Sequence, residues 1–449
     1  MRISLVVPDF LSGTSFLQQP LDFLYTATIL EKNGHYVSIF DCRTSHISKK
    51  DLIKKLSESE LIIITTTPCD QVQNYYVDYR YAYSISLINY IKKHLLDIPV
   101  VVCGAHGTVR CDLLEKDIIS DAIVLGEIPY TALELANCIE SSVGFASVPN
   151  IAFHKDNEWI HNEIETKLYH PCIDDTILPA FDKVPMQSYF GVEYINNIPL
   201  RRQNRAVLQS GRGCPYSCNF CHNFYGKHIY RRSVEAVVNE MEICQQEYGV
   251  REIFFLDELF TIDANWIHNF AIEINNRKIH LALTIQTRVD CITTDVLEDL
   301  RMAGVKDIWL GIESADNSIL GLSNKGEVNE ILVPIINLIK RYNINPNAFF
   351  MIGMPGETID TLNKTIKTIY TEKIPYTRSI MICTPRYGTK LYELAVQQYP
   401  FIQNSFFSLN SVKGLVANEM TPHILQTAKD ILKNRNFLFE PICPQIEKG

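Results

Sequence analysis

The fold is decided by one stretch of the sequence, Gln209-Ser210-Gly211-Arg212-Gly213-Cys214-Pro215-Tyr216-Ser217-Cys218-Asn219-Phe220-Cys221-His222, which carries three thiols at spacings C-x₃-C-x₂-C. Thiolate sulfur is the usual protein ligand of iron–sulfur clusters, and a 4Fe–4S cluster offers four irons for coordination. Three cysteines leave one iron free to coordinate a small molecule. A structural zinc site would need four ligands, and His222, directly beside Cys221, is badly placed to be the fourth. The spacing therefore predicts a 4Fe–4S cluster on Cys214, Cys218 and Cys221.

The cysteine triplet follows the first strand of a regular strand–helix series that runs from residue 201 to residue 390. Six stretches are predicted as its strands: Ala206–Ser210, Glu252–Leu256, Leu281–Gln286, Asp307–Ile312, Ala348–Ile352 and Ser379–Cys383. Their alternation with helical stretches predicts a parallel sheet curved into a partial (β/α)6 barrel. In such barrels the chemistry lies at the carboxyl ends of the strands, which is where the triplet falls.

A separate strand–helix series occupies residues 1–140. Its five apolar runs are Ile3–Val7, Tyr36–Phe40, Leu61–Thr65, Val100–Cys103 and Ala122–Leu125. These continuous runs predict an α/β, doubly wound, Rossmann-like sheet, whose ligands bind beyond the carboxyl ends of the strands. Residues 141–200 lack periodicity and carry five prolines, so they are predicted to be a linker segment. Residues 391–449 are predicted to form a short C-terminal cap.

The composition argues against several broad classes of protein. The 449 residues include 42 basic and 51 acidic side chains, and the net charge of −9 argues against a general nucleic-acid binder. No apolar run approaches the roughly 20 residues of a membrane-spanning helix, and the N-terminal apolar run is too short for a signal peptide. The chain is therefore expected to be cytoplasmic, where its 13 cysteines stay largely reduced.

The cysteine segment, with aromatic Phe220 directly before the third cysteine, resembles the signature of the radical S-adenosylmethionine (SAM) superfamily. In that family the open iron chelates the amino and carboxylate groups of SAM. One electron from the cluster then cleaves the sulfonium, and the resulting 5′-deoxyadenosyl radical abstracts hydrogen from a substrate. The resemblance implies that an external donor such as flavodoxin or ferredoxin supplies the electron.

The same resemblance implies SAM contacts at the ends of the predicted barrel strands. They are Phe220 and Gly353 at the adenine, Asp257 and Glu258 at the methionine ammonium group, Arg288 at the methionine carboxylate, and Glu313 with Ser314 at the ribose. A guanidinium fork matches the geometry of a carboxylate, which suits Arg288 to its implied role.

The first domain resembles that of the cobalamin-binding radical SAM enzymes. Four segments carry the likeness: Gln19-Pro20-Leu21, Asn33-Gly34-His35-Tyr36-Val37, Gly104-Ala105-His106-Gly107 and Gly126-Glu127. Ala105 stands where the family usually has a second glycine, and Leu21-Asp22-Phe23 departs from its Leu-Gly turn. The implied cobalamin contacts are Thr65, Thr66, Gly104, His106, Gly107, Thr108, Gly126 and Glu127. The pattern D-x-H-x-x-G, which announces a histidine ligand of cobalt, is absent from the sequence, so a cobalt without one is predicted.

The favoured function at this point is cobalamin-dependent methylation of an unactivated carbon, or of phosphorus, in a small molecule or natural product. Oxidative cyclisation or rearrangement on the same architecture is the first alternative. A methylthiotransferase with a second cluster on Cys42, Cys69 and Cys103 is another, and a non-catalytic cobalamin or redox sensor is a third. Sensing does not need an open iron, so the cysteine triplet favours an enzyme.

Overall fold

A computed structural model describes residues 1–9, 17–45, 47–66, 77–165, 176–191, 193–195, 198–201, 204–223, 225–326, 329–375, 380–404, 414, 416–417 and 420–433. The chain divides into two compact units, Met1–Phe190 and Gly191–Gly449. None of the helices in this described part of the chain combines the length and the apolar character that a membrane crossing requires.

The first unit is built on a seven-stranded sheet in the order β2-β1-β3-β4-β5-β6-β7. Its strands are β1 (Arg2–Val7), β2 (Tyr36–Asp41), β3 (Leu61–Thr65), β4 (Val100–Cys103), β5 (Ala122–Val124), β6 (Ile151–Lys155) and β7 (Glu158–His161). The first five are parallel, and every residue of β3, β4 and β5 is buried. The doubly wound sheet predicted from the apolar runs is thus confirmed.

Helices connect the parallel strands of this sheet. They are α1 (Leu21–Lys32), α2 (Cys42–Ser45), α3 (Lys49–Leu56), α4 (Val77–His94), α5 (Ala105–Asp117) and α6 (Pro129–Glu140). Local sequence fixes their starts: Ser48 caps α3 by accepting a hydrogen bond from the backbone N–H of Asp51, and Pro129 opens α6, where its missing N–H costs nothing. The apolar faces of α1 and α6 join the core formed by the strands.

Two strands extend this sheet beyond the boundary predicted at residue 140. Residues 151–161, predicted as part of a linker segment, are instead an antiparallel hairpin in which β6 pairs with β5 and β7 pairs with β6. The two-residue loop is Asp156-Asn157, both with positive φ, as tight hairpins require. No continuous apolar run marked β7, because it lies at the sheet edge and three of its four residues are exposed.

The second unit contains a six-stranded, wholly parallel sheet in the order β10-β13-β14-β15-β16-β17. The strands of this unit are β8 (Glu193–Ile195), β9 (Ile198–Arg201), β10 (Arg205–Leu208), β11 (Gly211–Arg212), β12 (Tyr230–Arg231), β13 (Glu252–Phe255), β14 (Ala282–Arg288), β15 (Val305–Glu313), β16 (Asn345–Ile352) and β17 (Met381–Ile382). The partial (β/α)6 barrel is confirmed, with each of its six strands where one was predicted. Ser379, where the last strand was predicted to begin, lies outside the described residues.

The helices of the second unit follow the barrel strands. They are α7 (Val234–Tyr248), α8 (Ala264–Asn276), α9 (Thr294–Met302), α10 (Asn317–Leu322), α11 (Asn329–Arg341), α12 (Ile359–Thr371), α13 (Lys390–Gln398) and α14 (Pro422–Lys433). Several of these helices are capped by side-chain oxygens, including those of Ser233, Asp263, Thr293 and Thr358. Each cap ends a βα loop, so these helices begin at defined residues beyond the carboxyl ends of the strands.

Candidate functional site

The cysteine triplet lies in the loop that follows β11, at the carboxyl end of the first barrel strand. Gly213, directly before Cys214, has φ +93°, and a Cβ there would lie 2.0 Å from the backbone oxygen of His228. Only glycine fits this position, because a side chain would meet the backbone of the opposite segment. The backbone N–H of Cys214 donates to the oxygen of Gly226 (3.1 Å), and that of Cys221 donates to the oxygen of Cys218 (3.1 Å). The loop is therefore pinned at its first cysteine, and its second and third cysteines are joined by a tight turn.

Asn219 fastens the middle of this loop to two other parts of the second unit. Its backbone N–H donates to the oxygen of Ser323 (2.8 Å), and its side-chain amide donates to the oxygen of Leu322 (2.9 Å). Its own oxygen accepts from the N–H of Leu391 (2.9 Å), the second residue of α13. The loop between the second and third cysteines is thus held from both sides.

The three sulfurs suit a cluster better than a single ion. Each ionised thiol of Cys214 and Cys218 would raise the pKa of Cys221, so the three lie within electrostatic reach of one another. Among the described residues, however, these three ligand atoms do not form a group within 4.8 Å. A zinc ion with bonds of about 2.3 Å to sulfur would bring its ligands to roughly 4 Å apart. The zinc alternative therefore fits this geometry poorly.

Two buried cations border the middle cysteine. The Nη1 of Arg288 lies 3.7 Å from the Sγ of Cys218, and its other nitrogens donate to both carboxylate oxygens of Asp290 and to the backbone oxygen of Lys325. Burial raises the pKa of the Cys218 thiol, while the charges of Lys325 and Arg288 lower it. Arg288 also lies over the ring of Tyr216, 3.8 Å from its centroid. These cations would stabilise the negative charge of a thiolate cluster.

The predicted carboxylate pair at the end of β13 divides into two different environments. Asp257 accepts hydrogen bonds from the N–H and hydroxyl of Ser210 (2.8 and 2.5 Å) and from Arg231 (2.9 Å), so both of its oxygens are engaged. Glu258 accepts from the N–H of Gly213 (3.2 Å). Burial raises the pKa of Glu258 to about 7, with the charge of Asp257 acting in the same direction. Glu258 is thus the carboxyl that faces the cysteine loop.

The fourth barrel strand ends in a bulge that turns Glu313 into the left-handed region, at φ +70°. Its carboxylate accepts from the ammonium of Lys325 (3.1 Å), and both side chains are buried. Ser314, the next residue, is fully buried and faces the hydroxyl of Thr365 (3.2 Å). A non-glycine residue with positive φ is costly, and such strain is concentrated at functional sites. Lys325, which the sequence analysis missed, belongs to this cluster of charges.

Gly353 directly follows the fifth barrel strand, and its N–H donates to the carboxylate of Glu357. Gly353 has φ +77°, and a Cβ on it would lie 2.6 Å from the Cα of Gly414. Burial raises the pKa of Glu357 to about 7, and the bond from Gly353 opposes this rise. Phe220 is partly buried beside a small apolar cluster that includes Met354, the residue after Gly353. The structure therefore brings the two predicted adenine contacts to neighbouring positions.

In the first unit, the loops after three strands meet at the carboxyl edge of the sheet. The N–H of Thr66 donates to the oxygen of Cys103 (2.9 Å), which joins the ends of β3 and β4. The hydroxyl of Thr108 donates to the oxygen of Gly104 (3.1 Å) and accepts from the N–H of Gly126 (2.9 Å). Thr108 thus links the loops after β4 and β5.

The remaining predicted residues of these loops pack inward. A Cβ on Gly107 would lie 2.6 Å from a methyl group of Ile123, so glycine lets α5 approach β5 closely. His106 is 1% exposed, and its ring centroid is 5.0 Å from that of Tyr81. Glu127 is also buried. These contacts show a local packing role for Gly107 and His106.

A pocket with about 270 Å³ of empty space, part of it open to solvent, lies at this edge. Its lining residues are Pro20, Asp22, Phe23, Thr65, Cys103, Gly104, Gly126 and Ile128. Three of them were predicted from sequence as ligand contacts. The buried Asp22 was not predicted as a contact, because Leu21-Asp22-Phe23 departs from the family's usual Leu-Gly turn. The alternative cluster ligands Cys42 and Cys103 are both buried, and Cys69 lies outside the described residues.

Comparison with known protein families identifies the barrel. Residues 208–369 match the family model of the radical SAM superfamily, a range that contains the cysteine loop and the ends of five barrel strands. This region of the chain belongs to the radical SAM superfamily. The signature predicted from the cysteine spacing is thus confirmed at the level of family.

Three known proteins similar to this radical SAM chain extend the likeness to the first unit. An uncharacterised methyltransferase of Pyrococcus horikoshii is 28% identical over 405 residues, covering 88% of this chain and 83% of the relative. Among solved structures, the radical SAM methyltransferase TsrM of Kitasatospora setae, with tryptophan and a SAM analogue bound, aligns with TM-score 0.70 at 18% identity, covering 88% of this chain and 76% of TsrM.

The third similar protein is OxsB, a cobalamin-dependent SAM radical enzyme solved with aquacobalamin and SAM. It aligns with TM-score 0.68 at 17% identity and covers 93% of this chain, which spans 58% of OxsB. At these identities the structural likeness establishes the fold. The radical SAM chain therefore shares the succession of a doubly wound unit and a partial barrel with both structures.

Proposed function

We propose that this radical SAM protein is a cobalamin-dependent methyltransferase that acts on an unactivated carbon, or on phosphorus, in a small molecule. The observation that carries the proposal is the three-cysteine loop bordered by Arg288 and Lys325 at the carboxyl ends of the barrel strands. The 28% identity to a methyltransferase over most of the chain supports methyl transfer. The fold shared with TsrM and OxsB supports the cofactor set.

Cys214, Cys218 and Cys221 would hold the 4Fe–4S cluster, and their loop fits it because its sulfurs are spread and flanked by positive charge. Bound there, the cluster would supply the electron that cleaves SAM to the 5′-deoxyadenosyl radical. The chain's own residues hold this loop in place: Gly213 allows the close approach of the opposite segment, and Asn219 ties the loop to α13.

The SAM-binding roles of the strand-end residues are part of the proposal. Glu258 is suited to the methionine ammonium group, since its half-buried carboxyl faces the cysteine loop. Asp257 would act through Ser210, whose backbone and hydroxyl it holds. Arg288 and Lys325 supply positive charge for the methionine carboxylate, although the fork of Arg288 is engaged by Asp290. Gly353 would lie beside the adenine through its backbone, since its missing side chain already admits the close approach of Gly414.

The pocket of the first unit is proposed to take part of the cobalamin. The pocket lies at the carboxyl edge of the doubly wound sheet, which is where sheets of this kind bind their ligands. Thr65, Gly104 and Gly126 line it, Thr66 and Thr108 link the loops around it, and Gly107 and Glu127 are buried beside them. Cobalamin would supply the methyl group. The protein's part is to fix the cofactor and to exclude water from it.

The test uses protein reconstituted anaerobically with iron, sulfide and cobalamin, and then supplied with a low-potential reductant and SAM that carries a deuterated methyl group. We expect 5′-deoxyadenosine, together with deuterated methylcobalamin recovered from the protein. The variant with Cys214, Cys218 and Cys221 all changed to Ala is the control and should form no 5′-deoxyadenosine. A labelled product would then be sought in small-molecule extracts.

Other outcomes would separate the alternatives. Deoxyadenosine without transfer of the label to cobalamin would favour oxidative cyclisation or rearrangement. If the protein retained no cobalamin and bound about four irons in addition to those of one cluster, a methylthiotransferase would be favoured. Retention of cobalamin without any cleavage of SAM would favour a sensor and reject the proposed activity.

A further inference from the structure

A separate group of metal-ligating side chains lies in the first unit, and none of its members is among the predicted cofactor contacts. Cys111 and Glu115 are on α5, and His161 is the last residue of β7. Their ligand atoms all lie within 4.8 Å of one another, and in the described part of the chain no other trio of His, Cys, Asp or Glu donors meets that spacing.

The distances within the trio suit a shared ion. The Oε1 of Glu115 is 2.8 Å from the Nε2 of His161 and 3.3 Å from the Sγ of Cys111. A tetrahedral zinc ion with bonds of about 2.0–2.3 Å sets its ligand atoms roughly 3–4 Å apart. Cys111 and Glu115 are four residues apart on one helix face, a spacing by which helices present two ligands to zinc. Glu115 and His161 can form an ion pair without any third group. The approach of the Cys111 thiol to the same carboxylate oxygen is therefore a separate observation that favours a metal site.

The backbone of α5 is distorted directly before the first of these ligands. Arg110 has φ −151° and ψ 64°, outside the helical region, so Cys111 begins a new helical segment. The guanidinium of Arg110 is paired with Asp112 at 2.6 and 2.7 Å, which removes that carboxylate from the trio. Backbone departures of this kind persist only where surrounding contacts hold them.

Burial and charge also match a divalent cation. Cys111 and Glu115 are half-buried and His161 is exposed, so one side of the site is open to a water ligand. An ionised thiol and the carboxylate of Glu115 together carry two negative charges, which a divalent cation neutralises.

We propose that Cys111, Glu115 and His161 bind one divalent cation of the zinc class, with water as the fourth ligand, and that this ion fastens α5 to β7. A thiolate, an imidazole and a carboxylate form a donor set typical of zinc. As the metal–sulfur bond forms, the thiol proton leaves to solvent, and no electron is transferred. The site is independent of the proposed reaction.

The position of the site gives the ion a structural role. α5 begins directly after Gly104, which lines the pocket of the first unit, and β7 is the unsupported edge of the same sheet. A cation held between the far end of α5 and this edge would brace the helix that carries the pocket loop. Zinc should therefore raise the temperature at which the first unit unfolds, because it binds only the folded state.

The test uses cluster-loaded protein freed of adventitious metal by a chelator and then given one equivalent of Zn²⁺. We expect one bound zinc per chain, and X-ray absorption at the zinc edge, which is blind to iron, should report one sulfur neighbour among nitrogen and oxygen ligands. In Cys111→Ser the sulfur neighbour should disappear, while in Cys138→Ser, a half-buried thiol on α6, it should persist.

Two further variants keep the test decisive even if Cys111→Ser folds poorly. Glu115→Gln and His161→Gln should weaken zinc binding by at least about tenfold, since changes even outside the ligand set cost about 10–100-fold. His154→Gln, on the neighbouring strand, should bind like the unchanged protein. Zinc surrounded by several sulfurs, a sulfur neighbour that survives Cys111→Ser, or unchanged affinity in both Gln variants would overturn the proposal.

Discussion

The guanidinium group of Arg288 stacks on the ring of Tyr216, 3.8 Å from the ring centroid, and in this position its Nη1 reaches the Sγ of Cys218 at 3.7 Å. Tyr216 lies between the first two cysteines, so one arginine contacts the cysteine loop twice. The same side chain is anchored by Asp290 and by the backbone of Lys325. Arg288 is therefore positioned both to hold the loop and to present charge to a ligand of the cluster.

Arg288→Ala should leave the cluster in place but weaken SAM binding. Loss of a charged hydrogen-bond partner costs about 1.5–3 kcal/mol, or roughly 10–150-fold in the dissociation constant. Equilibrium binding of SAM to the oxidised, cluster-loaded protein measures it. Arg277→Ala, which removes an arginine paired only at the protein surface, is the matched control. SAM affinity equal to that of the unchanged protein would reject the role of Arg288.

Changing Cys214, Cys218 and Cys221 together to Ala should abolish iron binding and the brown chromophore. We expect about four irons per chain in the unchanged protein and none above background in the variant. Cys291→Ser removes a nearby half-buried thiol that contacts Tyr216 and should leave the iron content unchanged. Iron and sulfide analysis decides between these outcomes, and iron retained in the triple variant would mean that the cluster is held elsewhere.

Glu357 should make the folded protein less stable as pH rises towards 7. The pKa of its carboxyl is 4.5, the ordinary value, in the unfolded chain and about 7 when the group is buried, so the folded state binds the proton more tightly. The stabilisation is complete below pH 4.5 and is lost as pH rises through 7, a loss of about 3 kcal/mol in the free energy of unfolding.

Glu357→Gln keeps an oxygen that can accept from Gly353 but cannot ionise, so this part of the pH dependence should vanish. Urea unfolding at pH 5.5 and pH 8 measures it, with Glu372→Gln at the exposed end of α12 as control. The change in stability between the two pH values should shrink only in the Glu357 variant. An unchanged pH dependence would show that this carboxyl does not titrate in that range.

Cobalamin bound to this protein should have no histidine on cobalt. The sequence lacks D-x-H-x-x-G, and His106, the histidine of the pocket loops, is buried against Tyr81. Electron paramagnetic resonance of the Co(II) state should show no nitrogen splitting from the protein, and the spectrum of His106→Ala should match it. A splitting that is present in the unchanged protein and lost in this variant would contradict the expectation.

Much of the fold follows from the sequence because buried parallel strands carry uninterrupted apolar runs. β3 and β4 begin and end where those runs do, and α7 runs from the residue after its serine cap to the residue before Gly249. The hairpin of β6 and β7 escaped prediction because an exposed edge strand has no such run. Its signal was the pair Asp156-Asn157, which is typical of a tight turn between strands.

The candidate site could be predicted only in part, because spacing shows which residues reach a strand end but not which partners they meet there. Asp257 illustrates this limit: it stands at the predicted place, yet Ser210 and Arg231 occupy its oxygens. Asp257→Ala would remove the carboxylate that pairs with Arg231. We therefore expect a lower free energy of unfolding as well as weaker SAM binding in this variant. Lys325 could not be predicted from its place in the sequence, since it follows α10 and does not lie at the end of a strand.

The bond from the N–H of Leu391 to the oxygen of Asn219 has a consequence for how the barrel can be divided. Leu391 lies outside residues 208–369, the part that matches the superfamily, yet it supports the segment between the second and third cysteines. The matched region is therefore not a portable module. Without α13, this region would keep all three cysteines, but their loop would lack the hydrogen bond from Leu391. A chimaera that exchanges only this region would therefore contain the cluster ligands without one of the contacts that hold their loop in place.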